Sequence, residues 1–398
     1  MAMMKSSNTE WLGDIPAEWD VAQIGNYYEL RNEKVSDYDF EPLSVTMKGI
    51  VPQLATAAKS DDHSNRKLVK KGDFVINSRS DRRGSCGISP LDGSVSLINT
   101  VMEPRGEMNP QYYNWLFHTE QFADEFYKWG HGIVDDLWTT RWQEMKKILI
   151  VAPSPDEQQA IANYLDETCF KIDEIIAEAK ASIDEYKELR IAIIDDFTIC
   201  GFNKTKLKYI SKKIGDGLHG TPQYSDNGTV AFINGTNIGD EKITIKSNTN
   251  FVSIDEAEKH KNELNSQTIL ISLNGTIGNS SLYDGENIIL GKSAGYITLK
   301  NNVCREYVRY CLENSVTKEA FDLSLNGTTI PNLSLNTLRN TEICLPDYSV
   351  QKQLAKTIKK MIIKMDSLIA EKESLINDLE AYKKSLIYEV VTGKRKVV

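Results

Sequence analysis

Two stretches of the chain place apolar residues at alternating steps of four and three. The later one carries Leu354, Ile358, Met361, Met365, Leu368, Leu375, Leu379, Tyr382 and Leu386 on this spacing, with Lys372 as its one interruption. The earlier one carries Ile161, Leu165, Thr168, Ile172, Ile175, Ala179, Ile183 and Tyr186, then slips to Leu189, Ile193 and Phe197. Such spacing predicts long helices with a coiled-coil seam, from about Ser154 to Phe197 and from about Asp347 to Val390. Ser154, Pro155 and Glu157 supply an N-cap, a first-turn proline and a capping-box partner, and Asp347 stands at the aligned cap. Gly201 and Gly393 lie just past the two ends, where a C-cap glycine belongs. Ile362, Ile369, Ile376 and Ile387 add a second apolar stripe beside the later seam.

The two helices are copies. An offset of 193 residues lays Pro153 on Pro346, Gln158 on Gln351, Ala162 on Ala355, Asp173 on Asp366 and Ile183 on Ile376. A period this long marks a duplicated module-plus-helix unit rather than a solenoid. Each helix would be a rod of roughly 60 Å. So wide an apolar face calls for its counterpart, another subunit, or both; packing on the globular parts is the plainer alternative. Residues 156–200 hold 12 acidic and 4 basic groups, and 346–398 hold 7 and 11. That asymmetry favours pairing of the two helices, although a solvated charged face would look the same.

The intervening segments read as mixed short strands, turns and a few helices. Lys71–Arg79 corresponds to Ser266–Asn274, each a buried strand running into a polar loop. A short helix follows in each module, Gln111–Lys128 and Arg305–Leu323, then a polar turn and a strand into the long helix. Loops rich in Asn, Thr, Ser, Arg and Lys suit hydrogen bonding to base edges and phosphates. The candidates in the first module are Lys48, Asn77, Arg79, Ser80, Arg82, Arg83, Thr140 and Arg141. Those in the second are His219, Thr221, Asn234, Thr236, Asn237, Asn274, Thr276, Lys292, Thr328 and Asn332. Ordinary turns have the same composition.

The chain has 398 residues, 40% apolar and 26% charged, enough for two or three domains. Its net charge of −9 argues against a simple DNA-coating protein. Without an apolar signal region or a membrane-length apolar run, a reduced, cytoplasmic protein with no membrane partner is expected. Six scattered cysteines form no C-x-x-C pair, so neither zinc nor a disulfide framework is favoured. Gly215-Asp-Gly-Leu-His-Gly220 spells a dinucleotide fingerprint, but Thr221-Pro222 follows where a helix is required. Pro155-Asp156 with Glu178-Ala-Lys180 imitates a nuclease signature, yet along one helix Asp156 and Glu178 would stand roughly 33 Å apart. Asn109-Pro-Gln-Tyr112 lacks the second proline of an adenine-methyltransferase motif. No metal set and no catalytic residue is nominated.

Several stretches, in this order and in duplicate, resemble the specificity subunits of type I restriction-modification systems. They are Trp11-Leu-Gly-Asp-Ile-Pro-Ala-Glu-Trp19, the Glu157-Gln158 helix start, Lys171-Ile-Asp-Glu-Ile-Ile-Ala-Glu with its echo from Lys364, and Leu207-Lys-Tyr-Ile with Gly215–Pro222. The resemblance covers essentially the whole chain. It implies an α+β protein: two similar mixed α/β target-recognition domains separated by two long helices forming an antiparallel coiled coil. The corresponding boundaries are 1–152 and 202–345 for the domains, 153–201 and 346–398 for the helices. It further implies a non-catalytic subunit that reads a bipartite site on double-stranded DNA and docks two methyltransferase subunits, with restriction subunits joining them. No cofactor is expected on this chain; S-adenosylmethionine, ATP and magnesium would belong to those partners. Val350-Gln351 departs from the usual Glu-Gln, and Trp138–Trp142 is bulkier than the expected turn. A methyltransferase or nuclease acting by itself, and a coiled-coil scaffold with protein-binding modules, are the rival readings.

Overall fold

The computed structural model describes residues 3–56, 63–132, 138–199, 201–239, 241–325 and 331–397. The chain divides into two compact units. One joins residues up to Ala179 with those from Ser374 onward; the other is Lys180–Glu373. Each holds one mixed module and one half of each long helix.

The longer helices that begin in the first unit are α1 (Pro110–Phe117), α2 (Glu120–Lys128) and α3 (Pro155–Thr198). Those that begin in the second are α4 (Arg305–Glu313), α5 (Ser315–Ser324) and α6 (Tyr348–Val391), beside shorter helices such as Ile254–Lys259 and Leu335–Asn340. The long helices start and stop within one residue of the expected ends. The capping box forms, with the Glu157 amide donating to Ser154 Oγ and the Ser154 amide donating to Glu157 Oε2. Gly201 and Gly393 take left-handed backbone, φ +60° and +71°. The single short helix expected in each module is instead a pair. Thr119 and Asn314 break it by accepting the amides of Phe122 and Thr317, which starts a new helix.

Each module has its own four-stranded framework sheet, and the two have the same strand arrangement. In the first, antiparallel strands run in the order Cys86–Ile88, Phe74–Asn77, Asn99–Pro104 and Tyr28–Leu30. In the second the order is Ser280–Leu282, Thr268–Ser272, Ala294–Leu299 and Ser211–Asp216, again antiparallel. The smaller three-stranded sheets differ. Arg66–Val69 pairs antiparallel with both Gly93–Val95 and Lys34–Val35. Val230–Ile233 pairs antiparallel with Phe251–Val252 but parallel with Ile288–Leu290. In the first unit Tyr28, Phe74, Tyr113, Phe117, Phe122 and Phe126 pack ring against ring. In the second, Ile269, Ile271 and Ile297 of the sheet meet Tyr307, Val308 and Leu312 of α4 and Ile358 and Ile362 of α6 in one core.

Each unit pairs one end of α3 with the opposite end of α6, which is an antiparallel arrangement. The seam is displaced from the expected one. Ile161, Leu165, Ile172, Ile183, Ile358 and Met365 are buried, and Leu354, Leu368 and Leu379 are half-buried, but Ile175 and Leu375 are exposed. Their neighbours Ile176 and Ile376 are buried instead. The buried series Ala162, Leu165, Cys169, Ile172, Ile183 and Ile193 maps under the 193-residue offset onto Ala355, Ile358, Ile362, Met365, Ile376 and Leu386. Three adjacent helical positions per heptad are apolar, so the periodicity fits two seams, and packing selects one. The Ile362 and Ile376 stripe is therefore seam, and the outer stripe includes Leu189, Leu375 and Tyr382. Lys383 Nζ meets the Asp173 carboxylate at 2.6 Å across the pair, so the opposite charges of the helices are used. The Trp11–Trp19 segment closes the end of α6, where Tyr388 OH donates to the Trp11 carbonyl.

Candidate nucleic-acid interface

In the first module the strand Phe74–Asn77 delivers the chain into a polar loop at the sheet end. Asn77 Oδ1 accepts the Arg79 amide, and Ser78 Oγ bonds Thr100 Oγ1 at 2.8 Å, which fixes the start of the loop. A single 3-10 turn, Ser80–Arg82, follows. Arg82 projects into solvent, 3.7 Å from Asp81, and Arg83 pairs with Asp124. The hairpin carrying Lys48 lies close by, because Met47 approaches Gly84 and Gly49 approaches Gly87.

Between this loop and the hairpin opens a cleft of about 640 Å³, lined among others by Thr46, Gln53, Arg66, Asn77, Arg82, Arg83, Ser96 and Asn99. Arg66 is held at its floor by Ser94 Oγ and the Ser94 carbonyl, and burial presses its pKa below the ordinary guanidinium value, with Asp37 opposing. Asn99 donates Nδ2 to the Ser96 carbonyl, while its Oδ1 is buried without a hydrogen-bond partner among the described residues. Sequence reasoning missed Asn99, Gln53 and Thr46. The usable signal for Asn99 was its place directly opposite Asn77 in the ladder, which only strand pairing reveals.

The bulky Trp138–Trp142 segment braces the loop from behind. The Ser80 amide donates to the Trp138 carbonyl, the Thr140 amide to Ser78, and Thr140 Oγ1 to Phe126. Thr140 is wholly buried and all these bonds are internal, so it leaves the set of DNA contacts. Arg141 is exposed beside it.

In the second module three loops knit together at the corresponding sheet end. The Gly235 amide donates to Ser293 Oγ, Ser293 Oγ to Asn234 Oδ1, and Thr276 Oγ1 to the Gly235 carbonyl. A Cβ on Gly235 would stand 2.4 Å from Ser272 Oγ and 2.8 Å from the Asn274 carbonyl, so this convergence needs glycine. A fourth loop joins through the Leu218 amide and the Leu290 carbonyl, carrying His219 and Thr221 beside Lys292. His219 Nε2 lies 2.8 Å from Asp216 Oδ2 and is otherwise exposed. Leu333 bonds Leu273, which brings exposed Asn332 to the same end. Thr236, Thr276 and Lys292 are exposed, and Asn234 and Asn274 half-buried. Asn237 is a correction: its side chain accepts the Asn234 amide and donates to Thr244 and Thr249, so it is a buried cap. Thr328 lies outside the described residues.

Nucleophilic thiols are disfavoured. Burial pushes the Cys86 thiol up to about 12 and Cys169 up to about 11, far from a reactive thiolate. Among the described residues no helix is long and apolar enough to cross a membrane.

Residues 202–378 match the family model described as the type I restriction modification DNA specificity domain. The chain is 24% identical to the type I restriction enzyme MjaVIII specificity subunit of Methanocaldococcus jannaschii, over 96% of this chain and 94% of that one. It is 22% identical to the MjaIX specificity subunit of the same organism, over 97% and 95%. In three dimensions it is similar to the HsdS subunit from Thermoanaerobacter tengcongensis, with TM-score 0.57, 15% identity, and 96% and 98% of the two chains covered. A chain from a structure addressing complex assembly and conformational transition of the type I R-M system gives TM-score 0.77 at 13% identity, covering 96% and 99%. Likeness at these identities is likeness of fold.

Proposed function

We propose that the chain is a specificity subunit of the type I restriction-modification kind and that it performs DNA sequence recognition. Each module reads one half of a bipartite site with the loops gathered at its framework sheet end, and the paired helices set the spacer between the halves. The observation that carries this reading is the repeated placement. The candidates at Arg79 and Asn274 both follow the second strand of the same four-stranded sheet in two modules of one chain. Arg82 and Arg83 suit phosphates or guanine edges.

The chemistry is carried out by partners rather than by this chain. Two methyltransferase subunits dock on the helices, with restriction subunits joining them, and S-adenosylmethionine, ATP and magnesium are bound there. Exposed apolar positions on the helices support two equivalent docking faces, because Phe170 corresponds to Ile363 and Leu189 to Tyr382 under the internal offset. The partners also supply part of the positive clamp that a chain of net charge −9 lacks.

Deleting one heptad from both α3 and α6 tests the reading. In the methyltransferase-loaded complex the tolerated spacer should change while both half-site sequences stay. A complex without sequence-specific binding would leave the scaffold alternative, and DNA methylation by the purified chain alone would establish a catalytic one. The loaded complex should also show a steeper salt dependence of binding than the chain alone.

A further inference from the structure

Among the side chains that join each module to its long helix, one makes the same two bonds in both copies. Gln158 sits in the first turn of α3 and is 1% exposed; Gln351 holds the aligned place in α6 and is 2% exposed. Gln158 Nε2 donates to the Pro153 carbonyl at 2.8 Å, and its Oε1 accepts the Asn109 amide at 2.8 Å. Gln351 Nε2 donates to the Pro346 carbonyl at 2.7 Å, and its Oε1 accepts the Cys304 amide at 2.9 Å. The amide orientation is unambiguous in both, since one neighbour only accepts and the other only donates.

Asn109 and Cys304 are the N-caps of α1 and α4, the module helices that face the long helices. Their amides and the two proline carbonyls are backbone groups outside regular ladders, and burial demands a partner for each. A glutamine at this depth satisfies one of each kind at once. The joint reads backbone alone, for the residue contacted is Asn in one module and Cys in the other. It therefore does not depend on what the module recognises.

We infer that Gln158 and Gln351 are positioning residues that lock each reading module at a set orientation on its helix, so that spacer discrimination depends on them. This rests on the bipartite reading proposed above. The van der Waals fill of the site is incidental to it; the two hydrogen bonds are the device.

The test uses the complex assembled with methyltransferase subunits, carrying Gln158→Met or Gln351→Met, which keep volume and lose both bonds. Binding is measured on duplexes with the spacer preferred by the wild type and with one base pair more or fewer. Each variant should lose at least about fivefold in preference for the native spacer, the scale of one lost buried hydrogen bond. Amide exchange should quicken at Asn109 for the first variant and at Cys304 for the second. Gln158→Glu and Gln351→Glu can make both bonds only while the carboxyl is protonated, since a carboxylate would set a second acceptor against the proline carbonyl. Protection and spacer preference should therefore return at acidic pH and fall as pH rises. Equal weakening on all spacers, or unchanged exchange at those amides, would overturn the inference. If the Met variants do not fold, amide protection in the Glu variants that stays the same across that pH range overturns it equally. A wild-type complex indifferent to half-site sequence would instead defeat the bipartite reading, while the exchange data would still decide the joint.

Discussion

The two modules are alike where they meet their helices and unlike where their loops meet solvent. The four-stranded sheets have the same strand order, the short helices break at Thr119 and Asn314, and Gln158 and Gln351 make the same two bonds. The three-stranded sheets are wired differently, antiparallel throughout in the first module and partly parallel in the second. The first module presents arginines around an open cleft, whereas the second ties Asn, Ser and Thr into a closed network of loops. Duplication has kept the mounting and let the reading surface diverge. That division is what a reader of two different half-sites requires.

Substitution at equivalent seam positions should break the likeness hardest. Leu165→Ala and Ile358→Ala each remove a fully buried side chain at aligned places and should cost about 2–5 kcal/mol. Denaturant unfolding measures this. Ile175→Ala, at a position the periodicity placed in the seam, should change stability by less than about 0.5 kcal/mol. A large loss there would restore the displaced seam.

Next comes the asymmetry of the loops. Gly235→Ala forces a methyl into Ser272 and Asn274 and should cost about 1–3 kcal/mol, with reading lost at the second half-site only. Arg82→Ala, a solvent-exposed side chain, should leave stability nearly unchanged while weakening the first half-site. Thermal unfolding beside half-site binding separates the two. Thr140→Val removes a buried hydroxyl donor and should cost about 1 kcal/mol without altering which bases are preferred. A changed base preference would return Thr140 to the interface.

The smallest effect belongs to the helix surface. Lys383→Met removes an ion pair whose aspartate is largely in water and should cost about 0.2–1 kcal/mol, fading in high salt. Double-mutant analysis with Asp173→Asn isolates the pair itself.

Much of this architecture could be read from the chain. Local signals, Ser154 and Glu157 at one end and Gly201 and Gly393 at the others, located both long helices to within a residue. The choice between Ile175 and Ile176 was not local, because both are isoleucine and only the partner helix selects the buried one. Thr119 and Asn314 escaped notice because apolar spacing continues across the break they cause. The wiring of the three-stranded layers depends on strand direction, which residue pattern does not encode. Among the candidate contacts, Arg82, Arg83, Thr236 and Lys292 are exposed as loop composition led one to expect. Thr140 and Asn237 have the same composition but spend their hydrogen bonds inside, a distinction set by tertiary neighbours.

The central claim is that one module reads one half-site. Its most direct test is selection of bound duplexes from a randomised bipartite library by the loaded complex, wild type against Arg79→Ala, Arg82→Ala and Arg83→Ala combined. Base preference should collapse in one half-site, by about 1–3 kcal/mol for each base contact removed, and stay intact in the other. Equal loss in both half-sites, or no loss in either, would contradict the account.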